Sequence, residues 1–245
     1  MERTDIYYPS SDGRTKIHAR VWKPDGEPKA VLQIIHGMIE FIGRYGDFAA
    51  YLADHGYLVV GEDHLGHGES VADEKQYGYF GPDGNSLVIR DIHELRLRTA
   101  KKYPGIPYMM LGHSMGSFLV RQYIMESTAP PADSKYGATR TNADGLSGVI
   151  VMGTGWQPGP VLKLGQAICS AVKAIRNDHY ISDFVANLAT GSNNKRIPDA
   201  RTVADWLTKD KEIVDWYMNE EWCQFKFTVN GYFNMFKGKI GRAHV

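Results

Sequence analysis

The run MLGHSMGSFLV, residues 110–120, sets Ser114 between two glycines where one apolar segment meets another. Gly112-His113-Ser114-Met115-Gly116 has the form G-x-S-x-G. In that form a strand turns sharply into a helix, the serine backbone is strained and its hydroxyl projects from the bend. Glycines on both sides keep side chains out of the turn. A helix opening at Met115 aims its first amides, the Met115 N–H among them, at the place where an oxyanion would develop. Five residues of this kind are a weak pattern alone. The apolar strand before them and the helix after them supply the context that reads Ser114 as a nucleophile and not as an incidental serine of a βα turn.

A second stretch, IIHGMIEFIGRYGDFA at 34–49, ends a strand in His36-Gly37. Such an ending turns a backbone N–H, that of Met38, into the same crevice as a second oxyanion donor. Each donor of this kind is worth ~3 kcal/mol of transition-state stabilisation. The His36 side chain is read only as a support for the loop. A third stretch, EDHLGHGES at 62–70, holds His64 and His67 without a third ligand of convincing spacing, so a structured glycine-rich turn is expected and no metal. GTGWQPG at 153–159 is not G-x-G-x-x-G, and nucleotide binding is set aside. No cofactor is expected.

These groups need a scaffold, and the pattern around them supplies one. Strands are predicted at 15–22, 30–35, 57–61, 108–111 and 146–152. Helices are predicted at 44–55, with Tyr45, Phe48, Ala49 and Leu52 on one face, at 86–103, with Val88, Ile92, Leu95 and Thr99, and at 115–126. Gly56 stands where a left-handed helix cap belongs, and Pro104 stops the second helix. A polar loop fills 129–145. Strand and helix alternate from 30 to 152, which predicts an α/β fold with a mostly parallel sheet and helices on both faces. From 160 to 236 only helices and loops are read, as an inserted cap. The expected organisation is a core at 1–155, a helical cap at 156–237 and a non-native tail at 238–245.

The 245 residues suffice for one large α/β domain with an insertion. Lys plus Arg and Asp plus Glu number 28 each, so the basic excess of a nucleic-acid binder is lacking. Cys169 and Cys223 stand far apart and form no metal or redox spacing, which fits a reducing cytoplasm. The opening Met1-Glu2-Arg3-Thr4-Asp5 has no apolar signal-peptide core, and no apolar run approaches the ~20 residues of a membrane helix.

HGMIEFIGRY, DHLGHGES and GHSMG, in that order and spacing, resemble the α/β-hydrolase family, and within it the monoglyceride lipase and lysophospholipase group, often labelled serine aminopeptidase-like. The resemblance runs over about residues 5–237 and is firmer before 155. It implies an α/β-hydrolase fold, Ser114 as nucleophile, and the Met38 and Met115 amides as oxyanion hole. It also implies a cap after the strand ending near Met152. Phe41 stands where the group carries a histidine, which alters the mouth of the pocket and leaves the backbone donor intact.

The family order is Ser, then Asp, then His on loops after two further strands. Past Ser114 the histidines are His179, in RNDHYISDF, and His244. His179 is read as a polar cap residue, and no strand leads to His244. Asp199, Asp205, Asp210 and Asp215 lie in cap sequence, and none is assigned. No triad acid or base is found in this chain. The closing KIGRAHV resembles one reading frame of a sequencing adapter. The expectation is a native sequence cut near Gly238, with the last two strands and both triad partners lost. A chain lacking triad members loses up to ~10⁶ in kcat and is expected to be nearly inactive.

Val203, Trp206, Leu207, Ile213, Trp216 and Tyr217 recur near helical spacing, and WCQFKFTVNGYFNMF follows. One reading is a greasy lid over an acyl chain. The other, expected for most of these residues, is a core packing the cap onto the domain. The implied substrate is a lipid-like carboxylic ester, a lysophospholipid or monoacylglycerol, with transient membrane-surface contact through the cap. Two alternatives stay open: another ester hydrolase or aminopeptidase, and a non-catalytic α/β-hydrolase fold that binds an apolar ligand or partner.

Overall fold

The computed structural model describes residues 1–126, 142, 144–191 and 193–239. Most of the polar loop read at 129–145, and the closing residues with His244, lie outside them.

Six strands form one sheet in the order β1-β2-β4-β3-β5-β6. They are β1 (Glu2–Pro9), β2 (Lys16–Lys23), β3 (Val31–Ile35), β4 (Leu58–Glu62), β5 (Tyr108–His113) and β6 (Gly148–Met152). β1 and β2 are antiparallel to their neighbours, whereas β4, β3, β5 and β6 run parallel. β3 and β4 are buried along their whole length, as expected of a sheet covered on both faces. The sequence carries no strand signal over β1. This is an edge strand, charged at Glu2, Arg3 and Asp5 and exposed over most of its length, so it carries little apolar signal.

Helix α1 (Gly46–Asp54) covers one face, where Ala49 and Ala53 pack with Trp22, Leu32, Ile34, Ile42 and Val59. The predicted helix at 44–55 is divided: Ile42–Tyr45 is a 3₁₀ turn, and Phe48 is exposed. Helices α2 (Gly84–Lys102) and α3 (Met115–Met125) cover the other face. The Val88, Ile92, Leu95 and Thr99 stripe of α2 is buried as predicted. Gln33 of β3 is fully buried yet satisfied, donating to Ile92 O (3.0 Å) and accepting from Tyr108 Oη (2.7 Å), which ties β3, α2 and β5 together.

After β6 the described residues form helices and turns: α4 (Gly159–Ile175), α5 (Asp183–Thr190), α6 (Lys211–Asn219) and α7 (Val229–Lys239), with short 3₁₀ turns between. Ser182 caps α5 and Asp210 caps α6 through side-chain acceptors on the first-turn amides. α7 packs against α2, α3 and α4, so the helical segment and the sheet-covering helices share one apolar core. The aromatic stripe departs from expectation. Val203, Trp206, Ile213 and Trp216 are exposed and Leu207 and Tyr217 half-buried, so these residues do not chiefly pack the segment down. The physical reason is that residues 201–207 form turns, not a helix, so the spacing never becomes a common face.

Candidate active site

The parallel register gathers the ends of β3, β5 and β6. Ile35 pairs with Gly112, and His113 with Met152. The chain leaving β5 therefore turns at Ser114 beside the turn that leaves β3. Ser114 has φ 52° and ψ −116°, the left-handed strain expected of a serine on a strand-to-helix bend. Its N–H donates to Met152 O (3.0 Å), and its carbonyl accepts from Ser117 N (3.0 Å) and Ser117 Oγ (2.5 Å). Both faces of the bend are thus pinned by backbone, and the Ser114 hydroxyl has no hydrogen-bond partner among the described residues.

The flanking glycines are steric requirements. A β-carbon on Gly116 would stand 2.6 Å from His36 O, and one on Gly112 would stand 2.7 Å from Val120 Cγ1. α3 therefore approaches β3 backbone to backbone. Gly37 closes the arrangement: a β-carbon there would lie 3.1 Å from Ser114 Cβ. The next residues, Met38 and Ile39, form a turn. Neither the Met38 nor the Met115 N–H has an acceptor among the described residues. The Met38 amide stands one residue after Gly37, and the Met115 amide one residue after Ser114.

His36 is fully buried and acts as a loop support. Its Nδ1 donates to Gly37 O (2.7 Å), and its Nε2 accepts from His64 N (2.9 Å). Its ring lies against His64, centroids 3.9 Å apart. Burial holds His36 well below the ordinary histidine range, and it lowers His67 to about 3, so both are neutral supports. The EDHLGHGES loop is organised by the buried Asp63, which accepts from Ile42 N (2.7 Å), Glu69 N (3.0 Å) and His18 Nδ1 (2.8 Å). Gly66 and Gly68 take positive φ within it. No cluster of three metal-ligating side chains occurs among the described residues.

One group of the site was not assigned from sequence. Glu40, 3% exposed, accepts from Gly37 N and from the Arg44 guanidinium, and lies 3.0 Å from Tyr45 Oη and 3.3 Å from His113 Nδ1. Tyr45 Oη is also 2.9 Å from His113 Nδ1, so Tyr45 donates to Glu40 and accepts from the His113 ring. Burial alone would raise the Glu40 carboxyl. The bond with His113 and the charge of Arg44 outweigh it and hold Glu40 below the usual carboxylate range. An ionised carboxylate thus ties the β3 turn to the residue before Ser114. Glutamate and arginine four apart within HGMIEFIGRY signal the Glu40–Arg44 pair, but not the bond to His113.

No histidine among the described residues bonds to Ser114 Oγ. His113 is committed to Tyr45 and Glu40, and His179 is exposed and stacked on Tyr79, centroids 3.8 Å apart. Asp205 caps the 201–202 turn, Asp210 caps α6, and Asp215 pairs with Arg201 (3.0 Å). Phe41 is buried edge-on to Trp222 (4.9 Å), joining the site loop to the helical segment.

Residues 26–239 match the family described as serine aminopeptidase, S33. Human monoglyceride lipase is 37% identical over 107 residues, 44% of this chain and 33% of that protein. The monoacylglycerol lipase of Mycolicibacterium smegmatis is 33% identical over 147 residues, 57% of this chain and 48% of that protein. The matched stretch thus spans between a third and a half of these relatives. Among solved structures, a thermostable carboxyl esterase from Bacillus coagulans superposes with a TM-score of 0.82 at 25% identity, over 98% of this chain and 73% of that one. A monoglyceride lipase from Saccharomyces cerevisiae gives 0.66 at 18% identity, over 96% and 67%, a likeness of fold.

Proposed function

Because this chain belongs to the serine aminopeptidase, S33 family and has the α/β-hydrolase fold, we propose that it derives from a carboxylic-ester hydrolase acting through an acyl-enzyme on Ser114. The observation that carries this reading is the strained bend at Ser114, set against Gly37 with the free Met38 and Met115 amides beside it. In the proposed reaction Ser114 Oγ attacks the ester carbonyl and gives its proton to an imidazole base. The oxyanion accepts from the Met38 and Met115 N–H groups. Collapse expels the alcohol, which takes the proton from the imidazolium. Water then repeats the sequence and releases the acid.

The substrate class we propose is a monoacylglycerol or lysophospholipid. The monoglyceride lipases among the relatives support it, as do the apolar residues of the helical segment: Trp156, Ile175, Phe184 and Val203 are each more than 60% exposed. That segment, residues 156–237, is proposed as a cap over a core at 1–155, able to touch a lipid surface transiently. No helix among the described residues is long and apolar enough to cross a membrane. Buried, unpaired Cys169 and Cys223 support a reducing, cytoplasmic setting.

Since no described imidazole serves Ser114, we propose slow turnover for this chain, within the roughly 10³–10⁴ over water that oxyanion hole and binding alone supply. The same absence favours a second reading, a non-catalytic fold that only binds an apolar ligand. Hydrolysis of p-nitrophenyl butyrate with and without added imidazole separates the two. The hydrolase reading expects imidazole to add to a slow basal rate, and Ser114→Ala to abolish the imidazole-supported part. Equal rates with imidazole in the parent and Ser114→Ala would favour the binding reading.

A further inference from the structure

Ile39 has φ +55°, a conformation that a β-branched residue rarely adopts. It follows Met38, so its φ belongs to the same turn and adjoins the Met38–Ile39 peptide, one peptide beyond the Met38 N–H. Strain of this kind persists only where the surroundings hold it. On the inner side of the loop, Glu40 grips Gly37 N. On the outer side, the Ile39 carbonyl accepts from Tyr217 Oη (2.8 Å), which comes from α6 of the helical segment. Tyr217 is itself held. The Arg44 guanidinium lies 5.0 Å from the centre of its ring, and its backbone carbonyl accepts from Gln224 Nε2 (2.6 Å). The contact of Phe41 with Trp222 runs alongside.

We infer that Tyr217 is a positioning residue, whose hydroxyl holds the Met38–Ile39 turn in its left-handed form and so fixes the Met38 N–H beside Ser114. This rests on the reading of Met38 as an oxyanion donor. Placement of the helical segment and competence of the oxyanion site are thereby linked through one hydrogen bond. Burial raises the Tyr217 phenol far above neutrality, so it stays a donor across the working pH range.

The test uses the full chain with Tyr217→Phe, which keeps the ring and its Arg44 contact, and a double variant adding Ile39→Gly. Glycine takes positive φ unaided, so it should relieve the need for the latch. Amide hydrogen exchange over residues 36–45 is read first. Tyr217→Phe is expected to speed exchange of the Gly37 and Ile42 amides about fivefold, the size of one ordinary hydrogen bond. Imidazole-supported ester turnover is read second. Its kcat is expected to fall about fivefold with KM nearly unchanged, and the double variant to recover at least half of that loss. Unchanged exchange in Tyr217→Phe overturns the inference. So does a kcat loss that Ile39→Gly leaves in place, since that would make Tyr217 a packing residue only. If the parent shows no turnover even with imidazole, the hydrolase reading fails separately, and the exchange comparison still decides the latch.

Discussion

Glu62, the last residue of β4, is 1% exposed, and its environment dictates its proton. Tyr8 Oη lies against Glu62 Oε2 and 3.0 Å from the backbone oxygen of Asp91. A phenol has one proton and a carbonyl oxygen can only accept. The Tyr8 hydroxyl donates its one proton to the nearer Glu62 Oε2, and burial raises the carboxyl in spite of that bond. Glu62 Oε1 is 3.7 Å from His64 Nδ1, too far for a hydrogen bond, and both atoms are unpartnered among the described residues. Burial, only partly offset by His64, raises Glu62 from 4.5 to about 7. A carboxyl with a raised native pKa binds its proton more tightly folded than unfolded. Its contribution is therefore full below pH 4.5 and lost as pH rises through about 7. At about 1.4 kcal/mol per pH unit, that interval amounts to ~3 kcal/mol. Glu62→Gln keeps the size and stays neutral. Urea unfolding at pH 5, 6, 7 and 8 should find the two proteins within ~1 kcal/mol at pH 5 and the variant relatively more stable by ~2–3 kcal/mol at pH 8. His18, raised by Asp63 and Asp5 against the effect of its burial, gives up its contribution only as pH rises above 6.5, whereas His36 and His67 act in the opposite sense. All three are common to both proteins, so the difference isolates Glu62. Parallel pH profiles would refute the raised Glu62 carboxyl.

Gly116→Ala drives a β-carbon into the Ile35 and His36 carbonyls of a fully buried strand end, and should cost ~1–3 kcal/mol in a melting experiment and slow any reaction at Ser114. An unchanged melt would contradict the backbone-to-backbone packing. Glu40→Gln leaves Arg44 without its buried partner, and ~3–5 kcal/mol of stability should be lost at pH 7. Because the native Glu40 pKa is lowered, the parent loses this contribution as pH falls through that value, so the two melts should converge on acidification.

Much of the site frame could be read from local pattern. A run such as AVLQII, apolar at all but Gln33, reads as a buried strand or helix, and His36-Gly37 after it favours the strand. Gly56, φ +90°, capped α1 as its position required. What escaped depended on contacts across the chain. β1 pairs along its whole length with β2, but as an edge strand it needs few apolar residues. Glu40 looked like one more charge in a turn until folding brought His113 and Tyr45 to it. Ile39 gave no hint of positive φ, because its side chain argues against that conformation and Tyr217 imposes it from α6. The aromatic residues at 203–217 had helical spacing without a common helix, so their exposure was hidden.

The most direct test of Ser114 as an acyl-accepting nucleophile is to treat the chain with a fluorophosphonate, with and without imidazole, and map the modified residue by mass spectrometry. A single adduct on Ser114, formed faster with imidazole, is expected. An adduct elsewhere, or a Ser114 adduct whose rate ignores imidazole, would contradict it.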